Sequence, residues 1–151
     1  MVLRKKNKRR SLGIYADLVG AIDWYDNSLR SMLDSQGLQF FNRTQSILLI
    51  HIAEGITRPT EIAYEMGATR QNIHATAKPL IDNRIIELVP DPNDGRSKLY
   101  VFCEDSLALR DATIQLLKRL DRELAARIGK DEVKSLKIAL SRDWGDVISE
   151  V

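Results

Sequence analysis

The chain has 151 residues, 44% hydrophobic and 29% charged, with 23 Lys and Arg against 21 Asp and Glu. That length suits one ordinary domain whose core needs no disulfide or structural metal. A single cysteine, Cys103, excludes an intrachain disulfide. No apolar run is long enough to span a bilayer, and the basic N-terminus lacks the apolar stretch of a secretory signal, so the expected location is the cytoplasm.

The near-neutral total hides an asymmetry. Arg4, Lys5, Lys6, Lys8, Arg9 and Arg10 are six of the 23 basic residues, with no acid among them. Residues 1–10 therefore read as a solvated, disordered arm able to lie on phosphates, and the rest of the chain is mildly acidic. Residues 11–151 then read as one domain.

Ile14, Leu18, Ile22, Tyr25, Leu29 and Leu33 recur at helical steps, and Gly37 marks the end of that first helix. Asn42-Arg43-Thr44-Gln45 has the form of a capping box. It opens a second helix through Ile47, Leu48, Ile50 and Ile52 that is apolar nearly all round, as a central helix would be. Pro59 suits the first position of a short third helix that ends at Gly67. Thr69 is the N-cap expected of a fourth, whose apolar side is Ile73, Ala77, Leu80 and Ile81. Pro79 removes a backbone donor inside that helix and predicts a kink or an end there.

The period then changes. Ile85 to Val89 and Leu99 to Phe102 read as two strands joined by a long, turn-rich tip, Pro90 to Arg96. Beyond them Leu107, Ile114, Leu117, Leu120, Leu124 and Ile128 form a fifth helical stripe, broken at Gly129. Val133, Leu136, Leu140, Trp144 and Val147 form a sixth. The fold class is mainly α (α+β), in the order α-α-α-α-β-β-α-α.

The chemistry lies between Pro59 and Phe102. Ala63, Gly67 and Ile73 have the spacing of a helix-turn-helix: a small residue at the crossing, a left-handed turn, and an apolar residue packing back. A polar-tipped hairpin directly after it makes a winged helix. The second helix of such a pair reads the major groove, and Arg70, Gln71, Asn72 and His74 carry base-edge donors with no acid between Arg70 and Leu80. Arg96 on the hairpin tip suits the negative minor groove, with Asp94 beside it either to hold the guanidinium or to cap the turn. Thr69, Arg84, Lys98 and Lys78 are candidate phosphate contacts, Lys78 the weakest because of Pro79. Six basic and six acidic residues between Arg58 and Lys98 cancel, which gives the basic arm more weight.

From Thr44-Gln45 to Phe102 the chain resembles the MarR (multiple antibiotic resistance regulator) family. The matching residues are Asn42-Arg43-Thr44-Gln45, Ile52-Ala53-Glu54-Gly55, Glu61-Ile62-Ala63, Leu80-Ile81 and the wing motif Pro90-Asp91-Pro92-Asn93-Asp94-Gly95-Arg96. Arg84, where the family usually has glycine, and Cys103, where it usually has Thr or Ser, depart from the pattern. The resemblance implies a homodimer, with 42–103 as the winged helix-turn-helix and 11–36 and 104–151 as dimerisation helices. It also implies a repressor of double-stranded DNA sites, released by a small-molecule effector. Trp24, Tyr25, Phe40, Phe41 and His51 are candidate linings of an effector pocket.

The alternatives are a winged-helix protein-interaction module and an architectural DNA binder that senses nothing. Catalysis, a metal and a cofactor are not expected, since His51 and His74 are the only histidines and no nucleophile or phosphate-loop motif accompanies them. At Cys103 a helix start favours the thiolate while Glu104 and Asp105 oppose it, so redox sensing is not the expected role.

Overall fold

The computed structural model describes residues 12–149. The predicted basic arm, residues 1–10, lies outside them. Among the described residues, six helices and a two-stranded antiparallel sheet form a winged helix flanked by long helices. In chain order they are α1 (Ile14–Ser35), α2 (Arg43–Ala53), α3 (Pro59–Glu65), α4 (Arg70–Asp82), β1 (Ile86–Asp91), β2 (Asp94–Phe102), α5 (Leu107–Ile128) and α6 (Lys130–Ser141). A single 3₁₀ turn, Glu104–Ser106, leads into α5.

The capping box at α2 is complete: Asn42 Oδ1 accepts from Gln45 N at 2.9 Å, and Gln45 Oε1 accepts from Asn42 N at 3.1 Å. Pro59 opens α3, and Thr69 caps α4 by accepting from Asn72 N at 3.1 Å. Between them Gly67 adopts φ 59, Ala68 N reaches back to Ala63 O and Gly67 N to Tyr64 O. That reversal brings α3 across α4 with Ala63 buried at the contact.

The core belongs to the winged helix. Leu48 and Ile52 of α2, Ile62 and Ala63 of α3, and Ile73, Ala77 and Leu80 of α4 close around Ile85, Ile86 and Tyr100. Burying each of the larger aliphatic side chains contributes roughly 1.5–3 kcal/mol. The segment before α3 joins the sheet through one bond, Tyr100 N to Thr57 O at 2.9 Å. Away from this core α1 packs on α5, anchored by Leu33, Leu116 and Leu120.

Four features differ from the sequence reading. The sixth helix ends at Ser141, where Arg142 turns to extended backbone, so Trp144 and Val147 lie beyond it. α4 does not stop at Pro79 but runs to Asp82, and the Pro79 carbonyl accepts from both Asn83 N and Asn83 Nδ2. The proline is tolerated because it lies in the last turn, on the exposed side. The wing tip is short: the strands run to Asp91 and Asp94, leaving Pro92 and Asn93 as the turn. Lastly, α2 is not apolar against the core all round. Leu48 and Ile52 are buried, whereas Ile50 is half exposed on an open cleft.

Candidate DNA interface

The first turn of α4 presents Arg70, Gln71 and Asn72, all exposed, while Ile73, Ala77 and Leu80 hold the opposite side in the core. His74 is also exposed, but its Nδ1 lies 2.7 Å from the hydroxyl of fully buried Tyr100. The four expected base readers thus share the N-terminal half of one helix. Thr69 starts the same turn, its oxygen engaged as the cap.

The wing owes its shape to a carboxylate. Pro90 faces Lys98 and Asp91 faces Asp94, so Gly95, Arg96 and Ser97 bulge from β2 without partners. Asp94 holds this bulge: Oδ1 accepts from Arg96 N at 3.1 Å and Oδ2 from Ser97 Oγ at 2.9 Å. Its role is therefore to cap the turn, not to hold the Arg96 guanidinium, and Arg96 stands exposed at the middle of the bulge.

Ion pairing sorts the six basic side chains of this region. Arg58 pairs with Asp91 at 2.6 Å, Lys78 with Asp82 at 2.9 Å, and Arg84 with Asp105 at 3.2 Å. Arg70, Arg96 and Lys98 pair with no acid among the described residues. The net charge of the region is zero, yet its unengaged cations sit at the start of α4 and on β2. Two expected phosphate contacts, Lys78 and Arg84, are tied to neighbouring acids on exposed surface, where such pairs are weak and exchangeable.

Arg58 and Tyr100 were not among the expected site residues. Arg58 lies just before α3 and its guanidinium anchors buried Asp91 at the wing base. Asn93 N and Arg58 together hold the Asp91 carboxyl below the usual aspartate range. The pairing links residues 33 apart, so no local pattern announces it. Tyr100 gave one faint signal: an aromatic at an inward strand position carries a hydroxyl that must find a partner.

The candidate effector residues do not converge. Tyr25 and Phe41 line an open, strongly apolar cleft of about 760 Å³ between α1, α2, α5 and α6. Trp24 faces a separate, more polar groove on the other side of α1. Phe40 lies under the Arg30 guanidinium, 4.2 Å from its ring centre, and His51 Nδ1 donates to Ile47 O at 2.8 Å. Within the apolar cleft Tyr25 donates to Asp121 at 2.7 Å, and burial followed by that bond pushes the phenol above its ordinary range. No helix of the described residues is long and apolar enough to cross a membrane. No group of three His, Cys, Asp or Glu side chains among them is placed to hold a metal.

Residues 41–97, the winged-helix core, match the model of the MarR family. No curated protein gives a significant match. Among solved structures, wild-type MarR from E. coli in its apo form is 22% identical, with a TM-score of 0.61 over 83% of this chain and 93% of that one. The transcriptional regulator PA4135 is 14% identical, with a TM-score of 0.67 over 85% and 93%. A mutant of E. coli MarR complexed with operator DNA is 22% identical, with a TM-score of 0.60 over 83% and 89%. At these identities the likeness establishes the shared fold.

Proposed function

We propose that this chain, whose winged-helix core is that of the MarR family, is a transcription regulator that binds specific double-stranded DNA sites as a homodimer. The observation that carries the reading is the sorting of cations. Of the six basic residues between Arg58 and Lys98, Arg58, Lys78 and Arg84 are paired with acids, and Arg70, Arg96 and Lys98 are left for DNA. In this reading Arg70, Gln71, Asn72 and His74 meet base edges in the major groove. Arg96 enters the adjacent minor groove, and Thr69 and Lys98 hold phosphates. The fold shared with the E. coli MarR mutant complexed with operator DNA supports the same docking.

Repression, release by a small-molecule effector and a cytoplasmic location complete the proposal. The cleft beside Tyr25 is the candidate effector site, and the dimer is built from 11–36 and 104–151. The test is a fluorescence-anisotropy titration against DNA upstream of the protein's own gene, repeated across salt concentrations with random duplex as competitor. Saturable binding that survives the competitor is expected, with affinity falling steeply as salt rises. Arg96→Ala is expected to weaken that binding roughly tenfold, the order of one good groove contact, without changing thermal unfolding. A folded wild-type chain that binds no DNA at low salt would overturn the proposal and favour a protein-interaction role. Binding abolished by random DNA would favour an architectural one.

A further inference from the structure

We propose that Tyr100 fixes the imidazole proton of His74 on Nε2, which makes His74 a dedicated hydrogen-bond donor in the DNA major groove. The inference rests on the DNA-binding reading above and assigns the chemistry of one contact within it.

Every polar proton at this contact needs an acceptor. The Tyr100 side chain has 0% exposure, and its hydroxyl lies 2.7 Å from His74 Nδ1, its only hydrogen-bond partner among the described residues. Two arrangements fit that distance. If Nδ1 carried the proton and donated to the phenol oxygen, the phenol proton would be buried without an acceptor. If the phenol donates to a bare Nδ1, both groups are satisfied. Buried donors left unpaired are costly, so the second arrangement holds. Burial also raises the Tyr100 pKa, which keeps the phenol protonated and able to donate. Neutral imidazole with a bare Nδ1 carries its hydrogen on Nε2.

The geometry aims that hydrogen outward. The two rings meet edge to face at 61° with centroids 6.1 Å apart, Tyr100 lies in the core, and His74 is exposed on α4. With Nδ1 turned to the core, Nε2 lies on the far side of the ring. A donor with no acceptor capacity suits guanine O6 and N7 or thymine O4, and it is mismatched to the amino group that cytosine presents. Tyr100 is thus a positioning residue: it touches no DNA but decides what His74 can read. It also ties the reading helix to β2, so the two DNA-contacting elements share one hydrogen bond.

The test begins with the free protein. Long-range proton–nitrogen NMR of labelled histidines, recorded above the imidazole titration, is expected to show His74 as the Nε2–H tautomer alone. In Tyr100→Phe, which keeps the ring in the core, a mixture is expected. Binding-site selection then follows for both proteins. Wild type is expected to prefer guanine or thymine over cytosine about tenfold at one base pair per half-site. Tyr100→Phe is expected to shrink that preference several-fold at that pair and leave the others unchanged. Combining it with His74→Ala, which leaves no hydroxyl unpaired, should erase the preference.

An Nδ1–H tautomer in wild type, or full discrimination in Tyr100→Phe, would overturn the inference. A wild-type chain that selects no site would overturn the regulator reading and the base contact with it. The imidazole spectrum, read without DNA, would still decide the tautomer.

Discussion

The guanidinium of Arg58 meets the carboxylate of Asp91 with Nη2 2.6 Å and Nε 3.2 Å from the same oxygen, Oδ2. The other carboxylate oxygen accepts from Asn93 N at 2.9 Å. One buried acid therefore ties the entry to α3, the end of β1 and the wing turn. Its pKa is depressed, first by the Asn93 amide and then by Arg58. The sign follows directly. The stabilisation is complete above the unfolded aspartate value of about 4 and is lost as pH falls through the lower folded value. Asp91→Asn keeps the shape and removes the charge. It is expected to speed hydrogen exchange in the wing amides, with little change in α5, and to remove part of the acid sensitivity of unfolding. Exchange unchanged in the wing would show that the pair does not hold it.

Most of the fold was legible because its signals are local. The Asn42–Gln45 box, Pro59, Gly67 and Thr69 punctuate the helices where the structure starts and stops them. What was missed depends on partners distant in sequence. Tyr100 and His74 are 26 residues apart, and no spacing rule joins them. The Pro and Asp residues of the wing tip are turn formers and predict a long tip. The strands instead continue past Pro90, and three residues on β2 absorb the difference as a bulge. Pro79 predicts a kink or an end because the rule against proline applies to helix interiors, and here the helix has only Asp82 to reach.

Arg84 gives the second prediction. α1, α2, α3 and α4 all end with the same pair of reversed bonds, and the turning residue is Gly37, Gly55, Gly67 and Arg84 in order. Among the described residues Arg84 alone holds a positive φ, 57, with a side chain. Left-handed backbone costs a side-chain-bearing residue roughly 1–2 kcal/mol. Glycine removes that cost but gains about 0.5–1 kcal/mol of unfolded-state entropy to lose. The exposed pair with Asp105 contributes little. Arg84→Gly is therefore expected to stabilise the protein by about 0.5 kcal/mol, read as a higher denaturant midpoint at unchanged slope. A lower midpoint would mean that the Asp105 pair outweighs the backbone strain.

Cys103 gives the third. Its thiol is pushed above the ordinary range, chiefly by burial and then by Glu87, with Arg84 opposing. The expected favourable effect of a helix start does not prevail. Alkylation by iodoacetamide is expected to be slow at neutral pH and to accelerate only above the usual thiol range of about 8.5. Cys103→Ser is expected to leave DNA affinity and its response to peroxide unchanged. Rapid alkylation at neutral pH, or a peroxide response that the serine variant loses, would restore redox sensing as a role.

The last prediction concerns the uncovered apolar surface. Ile14 is 74% exposed, Ile22 45%, Leu136 42% and Leu140 47%, and all four line the cleft between α1, α5 and α6. Beyond α6, Trp144 and Val147 are exposed as well. A continuous apolar face of this kind, on helices outside the winged-helix core, is what a second copy would cover. Ile22 and Leu136 approach the cleft from different helices, so Ile22→Asp with Leu136→Asp places charge on both walls while leaving the buried core of the winged helix untouched. Light scattering after gel filtration is expected to show wild type as a dimer and the double variant as a folded monomer. Specific DNA affinity should then fall by about 100-fold or more, because two linked reading heads bind far more tightly than one. A double variant that remains dimeric would place the interface elsewhere. A monomeric wild type with full DNA affinity would show that one winged helix suffices.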